Sequence, residues 1–102
     1  MFLKHDYCCF LCISTGDSLS VHNNMKFTTL DKDQDQSKDN CAVEFTGAWW
    51  YVNCHATNLN GQYLGGATDV YAKGIIWKAW KGQYYSLKST EMKIRPNFAS
   101  YV

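Results

Sequence analysis

Acidic residues alternate along this chain just ahead of a pair of cysteines. Asp31, Asp33 and Asp35 place carboxylates at every second position, and Cys41 and Cys54 follow shortly after them. Carboxylates on a flexible loop supply the oxygen ligands that Ca²⁺ prefers. The two cysteines could close a short loop beside that site, which would stabilise the fold by about 3 kcal/mol in an oxidising compartment. The pattern favours an extracellular binding module over an enzyme.

The acidic run has two other possible interpretations. An EF-hand loop requires glycine at position 6 and glutamate at position 12. A loop that begins at Asp31 has Gln36 and Ala42 at those positions, and a loop that begins at Asp33 has Lys38 where the glycine is required. Because neither register fits, an EF-hand is excluded. A solvated acidic loop without a bound ion stays open as the alternative.

Length and charge limit the classes of protein that this chain can represent. It has 102 residues and a formal net charge of +1. It therefore has room for one domain. Its electrostatic field is too weak to favour nucleic acid or an anionic membrane as a partner. No segment approaches the apolar length of a transmembrane helix, so we expect no membrane insertion. An aromatic content of 16% argues against disorder.

The first 15 residues fit poorly with the rest of the chain. Cys8, Cys9 and Cys12 lie there, and the total of five cysteines is odd, so at least one thiol lacks an internal partner. No second cysteine pair or neighbouring histidine completes a zinc site around Cys9 and Cys12. The segment also lacks the features of a signal peptide. We expect residues 1–15 to be an unrelated leader, produced by an incomplete or wrongly started gene prediction, and residues 98–102 to be a tail.

Short elements separated by turn residues are expected along the chain, which predicts an α+β, loop-rich fold. Frequent Gly and Asn leave no room for a long element between residues 54 and 70. The expected elements are a strand at 25–29, a loop at 31–40, a helical turn at 42–45, and one β-segment over 84–87 and 89–94 that ends at Pro96.

The aromatic residues and His55 have more than one possible role. Trp49, Trp50 and Tyr51, with the aromatic residues from Trp77 onward, could stack on sugar rings, but large side chains of a small domain are more often part of its core. His55 follows Cys54, which suggests a Cys/His nucleophile. A cysteine in a disulfide is no nucleophile, and His55 has no evident orienting carboxylate. We therefore expect no enzyme, and a binding role for His55.

Several motifs, in order, closely resemble the C-terminal part of fibrinogen-related domains. The resemblance covers roughly residues 16–97 and is strongest to the microfibril-associated glycoprotein 4 branch and to ficolin-type lectins. It implies the C-terminal portion of a fibrinogen-like globular domain, with a calcium loop and one disulfide. The motifs are Asn40-Cys41-Ala42, Gly47-Ala48-Trp49-Trp50-Tyr51, Cys54-His55-Ala56, Asn58-Leu59-Asn60-Gly61, and Ser89-Thr90-Glu91-Met92-Lys93-Ile94-Arg95-Pro96.

The resemblance also implies a set of site residues. Calcium is expected on the side chains of Asp33 and Asp35 and on the backbone carbonyls of Ser37 and Asp39, and the family's disulfide matches Cys41 with Cys54. A cis Asn53-Cys54 peptide is expected to direct the N–H groups of Cys54 and His55 toward an acetyl oxygen, with Phe45 and Tyr71 as aromatic walls. Gln83 departs from the family, because relatives usually carry an aromatic residue there. The acetyl slot is therefore expected to lack one wall.

The function implied by the resemblance is calcium-dependent, non-catalytic recognition of acetylated carbohydrates such as N-acetylglucosamine. The expected setting is secreted and extracellular, in innate immunity or matrix association, with the full-length protein a homo-oligomer. The alternative is a protein that binds extracellular-matrix proteins or receptors without binding acetylated sugars. The matched part is about half of the family domain, so we expect the isolated chain to fold poorly because apolar faces would be left uncovered.

Overall fold

A computed structural model describes residues 15–93 of the chain. Its regular elements are short, and loops connect them. Two antiparallel pairs of two-residue strands are present: β1 (Thr57–Asn58) pairs with β3 (Ile76–Trp77), and β2 (Gly66–Ala67) pairs with β4 (Tyr85–Ser86). Among these residues, no helix is both long enough and apolar enough to cross a bilayer.

Three short helical segments lie within residues 16–93. They are a 3₁₀ helix at Ser20–His22, α1 at Cys41–Phe45 and α2 at Lys78–Lys81. Helix α1 begins where Asn40 Oδ1 accepts the Ala42 N–H at 2.8 Å, which satisfies a backbone donor that has no partner within the helix. The helical turn predicted at residues 42–45 is thus confirmed. Helix α2 was not predicted.

The buried centre of the fold is built around the disulfide and the aromatic run. Cys41, Ala42, Trp49 and Tyr51 form one buried cluster, against which partly buried apolar side chains pack. The disulfide between Cys41 and Cys54, with Cα atoms 5.5 Å apart, connects α1 to the segment that follows Tyr51. The fold class and the Cys41–Cys54 disulfide expected from the sequence are confirmed.

The aromatic residues divide between the core and the surface. Trp49 and Tyr51 are almost completely buried, whereas Trp80 and Tyr84 are each more than half exposed. Core packing therefore accounts for the first aromatic group of the sequence. It does not account for the aromatic side chains near the C-terminal end.

Two of the expected strands are wrong in extent. At residues 25–29 the structure has isolated bridges in place of a strand: Thr28 pairs with Trp49, and Thr29 then pairs with Lys32 because the chain turns back on itself. Toward the C-terminus, only β4 forms. After it, the Leu87 N–H donates to the Ile75 carbonyl at 2.8 Å, and residues 88–93 are exposed and have no strand partner within the described range. Ile94 and Pro96 lie outside the described residues.

The lead-in segment packs onto the C-terminal part of the chain. The Trp77 indole N–H donates to the Gly16 carbonyl at 3.0 Å, and the Ala79 N–H donates to the Ser18 hydroxyl at 2.8 Å. These contacts fix residues 16–22 beside β3 and α2. Most of the expected leader (all but Thr15), including Cys8, Cys9 and Cys12, and the expected tail lie outside the described residues, so both domain boundaries stay predictions.

Candidate functional site

A concave pocket of about 210 Å³ is lined by residues from five separate stretches of the chain. All the residues that the sequence predicted as ligand contacts line it: Phe45, Asn53, Cys54, His55 and Tyr71. Ala72, Lys78 and Gln83 complete the wall. The structure thus brings together, in one small cavity, residues that span positions 45 to 83.

The turn at the base of the pocket contains the cis peptide between Asn53 and Cys54. The Val52 N–H donates to the Cys54 carbonyl at 2.8 Å and closes the turn. Neither the Cys54 N–H nor the His55 N–H donates to any acceptor within the described residues. Two consecutive backbone donors are therefore available where the chain lines the pocket.

A buried histidine far back in the sequence supports this turn. His22 is completely buried, and its Nε2 accepts the N–H groups of Ala56 and Thr57 at 3.1 and 3.3 Å. Its Nδ1 therefore carries the proton and donates to the Trp50 carbonyl at 2.7 Å. Burial lowers the pKa of His22, which keeps the ring neutral and able to accept both N–H groups.

The backbone carbonyl of Ala72, another pocket residue, fixes His55 in one tautomer. Its Nε2 lies 2.8 Å from the Ala72 carbonyl, which can only accept, so Nε2 carries the proton. Burial lowers the pKa of His55 to about 4, with the positive charge of Lys78 a smaller contribution in the same direction. Nδ1 is then a bare acceptor, and it is buried without a hydrogen-bond partner in the described part of the chain.

Aromatic and amide side chains form the walls around His55. The Phe45 ring meets the His55 ring edge-on with centroids 5.0 Å apart, and Tyr71 lies 6.4 Å from Phe45. Gln83 stands on the remaining side, where its backbone carbonyl accepts the Ala72 N–H at 2.9 Å. Its Oε1 is buried and has no partner among the described residues. The expected departure from an aromatic wall therefore places an amide acceptor in the pocket lining.

One buried amide connects the pocket wall to the core. Asn58 Oδ1 accepts the Tyr51 hydroxyl at 2.6 Å, and Asn58 Nδ2 donates to the Phe45 carbonyl at 3.1 Å and to the Gly74 carbonyl at 3.4 Å. Since Asn58 is completely buried, losing any of these partners would leave a polar group unsatisfied. This network fixes the end of α1, and with it the position of Phe45.

The acidic loop is folded back against the start of α1. The two carboxylate oxygens of Asp35 accept the N–H groups of Ser37 and Cys41, each at 2.9 Å. Asp33 Oδ1 accepts the Asp35 N–H at 3.2 Å, which places the two carboxylates side by side. Burial raises the pKa of Asp35, and the negative charge of Asp33 raises it further, against the two backbone hydrogen bonds.

The residues of this loop fit a calcium ion. Asp33 and Asp35 are not ion-paired, since the only ion pair found within residues 15–93 joins Lys93 to Glu91. The carbonyls of Ser37 and Asp39 accept no hydrogen bond from any described residue. Two carboxylates and two free carbonyls are a set of hard oxygen ligands, which is what Ca²⁺ requires. No group of three or more His, Cys, Asp or Glu side chains converges in the described range, so water would complete the shell.

Fold and site together define a class: a disulfide-linked, loop-built domain with a small pocket beside an acidic loop. The model of the C-terminal globular domain of fibrinogen beta and gamma chains matches residues 5–97. The chain therefore belongs to the family of fibrinogen C-terminal globular domains. Families with this domain are generally non-catalytic, and its homologues are typically secreted or extracellular.

Curated relatives and solved structures agree with this assignment. Human fibrinogen C domain-containing protein 1 is 59% identical over 83 residues, which is 81% of this chain and 18% of that protein. Human microfibril-associated glycoprotein 4 is 60% identical over 80 residues, which is 78% of this chain and 31% of that protein. The fibrinogen-like globe domain of human ANGPTL6 superposes with a TM-score of 0.70 at 42% identity, covering 74% of this chain and 35% of that one. The chain thus spans less than a third of these curated relatives.

Sequence reasoning missed three residues that shape the site. His22 supports the turn, and Ala72 and Lys78 line the pocket. No pattern in the sequence marks them: His22 lies 34 residues before the N–H that it accepts, and Ala72 acts through its backbone.

Proposed function

We propose that this domain recognises acetylated carbohydrates such as N-acetylglucosamine without catalysis, with calcium as structural support. The observation that carries the proposal is the convergence of Phe45, Asn53, Cys54, His55 and Tyr71 on one cavity of about 210 Å³. A small concave site with a few placed polar groups is typical of small-ligand recognition.

The pocket offers the interactions that an acetyl group needs. The N–H groups of Cys54 and His55 have no acceptor in the described structure, so an acetyl oxygen can accept from both. The cavity surface is mostly polar, and the rings of Phe45 and Tyr71, with centroids 6.4 Å apart, are the aromatic contacts it offers to the methyl group. Because His55 is neutral, it does not attract an anion into this part of the pocket.

Calcium would act on the pocket indirectly. Asp33 and Asp35, with the carbonyls of Ser37 and Asp39, would hold the ion, and the ion would neutralise the two adjacent carboxylates. Asp35 accepts the Cys41 N–H, and Cys41 is joined by the disulfide to Cys54 in the pocket. Ordering of the acidic loop would thereby be transmitted to the cis turn through the calcium ion at Asp35, the hydrogen bond from Asp35 to Cys41, and the disulfide.

The setting that we infer is extracellular, in innate immunity or matrix association, with the full-length protein a homo-oligomer. Disulfide-stabilised small domains are typical of oxidising compartments. A single small sugar site binds weakly, and linking several copies raises the overall avidity.

A second candidate function is recognition of matrix proteins or receptors without acetyl binding. The observation that favours it is the lamprey fibrin D-dimer, solved in complex with the peptide ligand Gly-His-Arg-Pro-amide, which superposes with a TM-score of 0.59 at 43% identity over 66% of this chain and 23% of that one. That related protein thus binds a peptide. Gln83, which replaces an expected aromatic wall, is compatible with either ligand.

The discriminating experiment passes the full-length protein over an N-acetylglucosamine resin in the presence of calcium. We expect retention that free N-acetylglucosamine, acetate or a chelator abolishes. Retention that survives the chelator, or that neither free ligand competes, would exclude acetyl recognition and favour the second candidate.

Two tyrosines provide a matched pair of variants for this experiment. Tyr71 lines the pocket, whereas Tyr63 does not, and both side chains are more than half exposed. We expect Tyr71→Ala to reduce retention and Tyr63→Ala to leave it unchanged. An equal effect of the two substitutions would show that the pocket is not the binding site.

A further inference from the structure

Helix α1 carries a second concavity that shares no residue with the pocket at the cis turn. Its volume is about 370 Å³, and Asp39, Asn40, Val43 and Glu44 line it. The Val43 side chain is more than half exposed, and neither Asp39 nor Glu44 forms an ion pair with any residue between 15 and 93. An apolar contact and two uncompensated carboxylates therefore lie together, with no Lys or Arg in the lining.

Hydrogen bonds from Asn40 hold this concavity in shape. Its Nδ2 donates to the carbonyls of Thr29 and Leu30 at 3.2 and 3.1 Å, and its Oδ1 accepts the Ala42 N–H at 2.8 Å. The loop that precedes α1 is thereby fixed against the start of the helix, and the exposed side chain of Leu30 adds apolar surface there. A site that is formed before a partner arrives loses less entropy when the partner binds.

Helix α2 presents an aromatic ring and an ammonium group together. The Trp80 side chain is 52% exposed, and Lys81 Nζ lies 5.0 Å from the centroid of its ring and 5.3 Å from that of Tyr85. The Ala79 N–H donates to the Ser18 hydroxyl at 2.8 Å, which fixes the helix on the fold. Exposed aromatic side chains on a rigid element are typical anchors of protein–protein contacts.

The surfaces at α1 and α2 carry opposite charge. Residues 70–90 contain four lysines and no Asp or Glu, whereas residues 31–44 contain five acidic residues and two lysines. A calcium ion in the acidic loop would leave the Asp39 side chain negative, because the ligand proposed there is the carbonyl. No ion pair joins Lys81 to Asp39 or Glu44 in the described part of the chain. A second copy of the chain can therefore supply the charge that each surface lacks.

We propose that α2 of one copy docks on α1 of a second copy, with the Trp80 ring in the concavity and the Lys81 ammonium against the carboxylates of Asp39 and Glu44. The ring covers Val43, and the ammonium compensates the two negative charges. The two surfaces are different, so the contact is heterologous and can join more than two copies into a ring. This contact does not depend on sugar recognition, and it names a surface on which the copies of the inferred homo-oligomer meet.

The size of the contact determines where we expect it to form. Stable interfaces bury about 800 Å² on each partner, whereas one aromatic side chain buries roughly 150–250 Å². The contact should therefore form between copies that are already held together in the full-length protein, where the effective concentration is high. Because unlike charges attract across it, salt should weaken it.

Zero-length cross-linking of the full-length protein tests the contact. A carbodiimide joins a carboxylate to an amine as an amide, with loss of water, only where the two groups touch. We expect covalent dimers and larger species on a reducing gel, and their digests should contain Lys81 joined to Glu44 or Asp39. The monomer band should lack this link. Salt at about 1 M should reduce the yield of the link about three- to tenfold.

Two pairs of variants separate this contact from other cross-links. Lys81→Arg keeps the charge but removes the amine, so it should abolish the link, whereas Lys88→Arg should leave it unchanged. Trp80→Ala should lower the yield of the link about three- to tenfold, because the ring no longer fills the concavity. Tyr63→Ala removes another side chain that is more than half exposed, and it should have no effect.

Three results would overturn the proposal. The first is a Lys81 link confined to the monomer band, which would place the contact within one copy. The second is the absence of any link from Lys81 to Asp39 or Glu44, and the third is an equal yield of the link in Trp80→Ala and Tyr63→Ala. None of these results bears on retention by the N-acetylglucosamine resin, so acetyl recognition stands or fails separately.

Discussion

His22 Nε2 accepts the backbone N–H of Ala56 at 3.1 Å, across 34 residues of sequence. The same nitrogen accepts the next N–H along the chain, at Thr57, while Nδ1 donates to Trp50. One neutral imidazole therefore satisfies three backbone groups on two segments. The imidazole thereby fixes Ala56 and the start of β1 at Thr57, the two residues that follow the pocket residue His55.

Replacing His22 by alanine should destabilise the protein strongly. The change leaves two N–H groups and one carbonyl without partners and opens a cavity, for which we expect a loss of about 3 kcal/mol in the free energy of unfolding. Denaturant titration of the full-length protein measures it. The matched control is Val21→Ala, since Val21 is 48% exposed and its truncation should cost less than about 0.5 kcal/mol. Similar losses for the two variants would contradict the supporting role of His22.

Acidification should destabilise the fold through both histidines. Burial lowers the pKa of His22 and brings that of His55 to about 4, against an ordinary value of 6.5. In the unfolded chain both rings take up protons near pH 6.5, so their contribution to stability is complete above that pH and is lost as the pH falls toward 4. For His55 the loss amounts to about 3 kcal/mol at most.

The pH dependence is measured as the melting temperature between pH 7.5 and 4.5. Lys78 lines the same pocket as His55, and its positive charge disfavours a proton on that ring. We expect His55→Gln to flatten the curve over this range relative to the unaltered protein. Parallel curves for the two proteins would show that His55 is not the group responsible.

Calcium should raise the melting temperature through the acidic loop. At a concentration one hundred times the dissociation constant, the ion should stabilise the fold by about 2.7 kcal/mol. Asp35→Asn should remove this gain, because it loses a charged ligand next to Asp33. Asp31 provides the control: it accepts the Thr29 hydroxyl at 2.8 Å within its own turn, so Asp31→Asn should keep the response. An unaltered protein whose melting is insensitive to both calcium and chelator would refute the calcium loop.

Gly61 should tolerate no side chain. A Cβ atom at this position would overlap the Gly74 carbonyl oxygen and crowd Asn58 Nδ2. Both neighbours belong to the network that positions Phe45, so we expect Gly61→Ala to cost about 3 kcal/mol and to reduce retention on the acetyl resin as well.

A second glycine distinguishes crowding from backbone strain. Nothing lies within 4 Å of a Cβ atom at Gly65, although its φ of +73° is unfavourable for other residues. Gly65→Ala should therefore cost about 1 kcal/mol and leave binding intact. Equal destabilisation of the two variants would contradict the close approach at Gly61.

Sequence reasoning succeeded where a local pattern or a family motif specifies the structure. The helical turn at α1, the loop at residues 31–40 and the Cys41–Cys54 disulfide follow from such signals. The strands were harder to predict because each contains only two residues, too few for an alternating pattern to show. Their limits are set by partners distant in sequence, as in the pairing of Thr57 with Trp77.

The same distinction applies to the site. The pocket residues carried by family motifs were predicted and lie together, whereas Lys78 and His22 were found only in the structure. Their roles depend on which loops meet, and a single sequence does not encode that in any local pattern. Gln83 was noticed as a departure, but its buried, unpartnered Oε1 becomes evident only in three dimensions.

The pocket depends on His22, which is not one of the residues that line it. All the residues that line the cavity come after position 44, and the loop between His22 and Cys41, which is exposed at residues 30–33, separates them from their support. A protease that cuts in this loop could release the segment that carries His22 and leave every ligand-contacting side chain, and the disulfide, on the remaining fragment. Such a fragment would be detected as an intact binding region by mass spectrometry and would nevertheless have lost the imidazole that orders its turn.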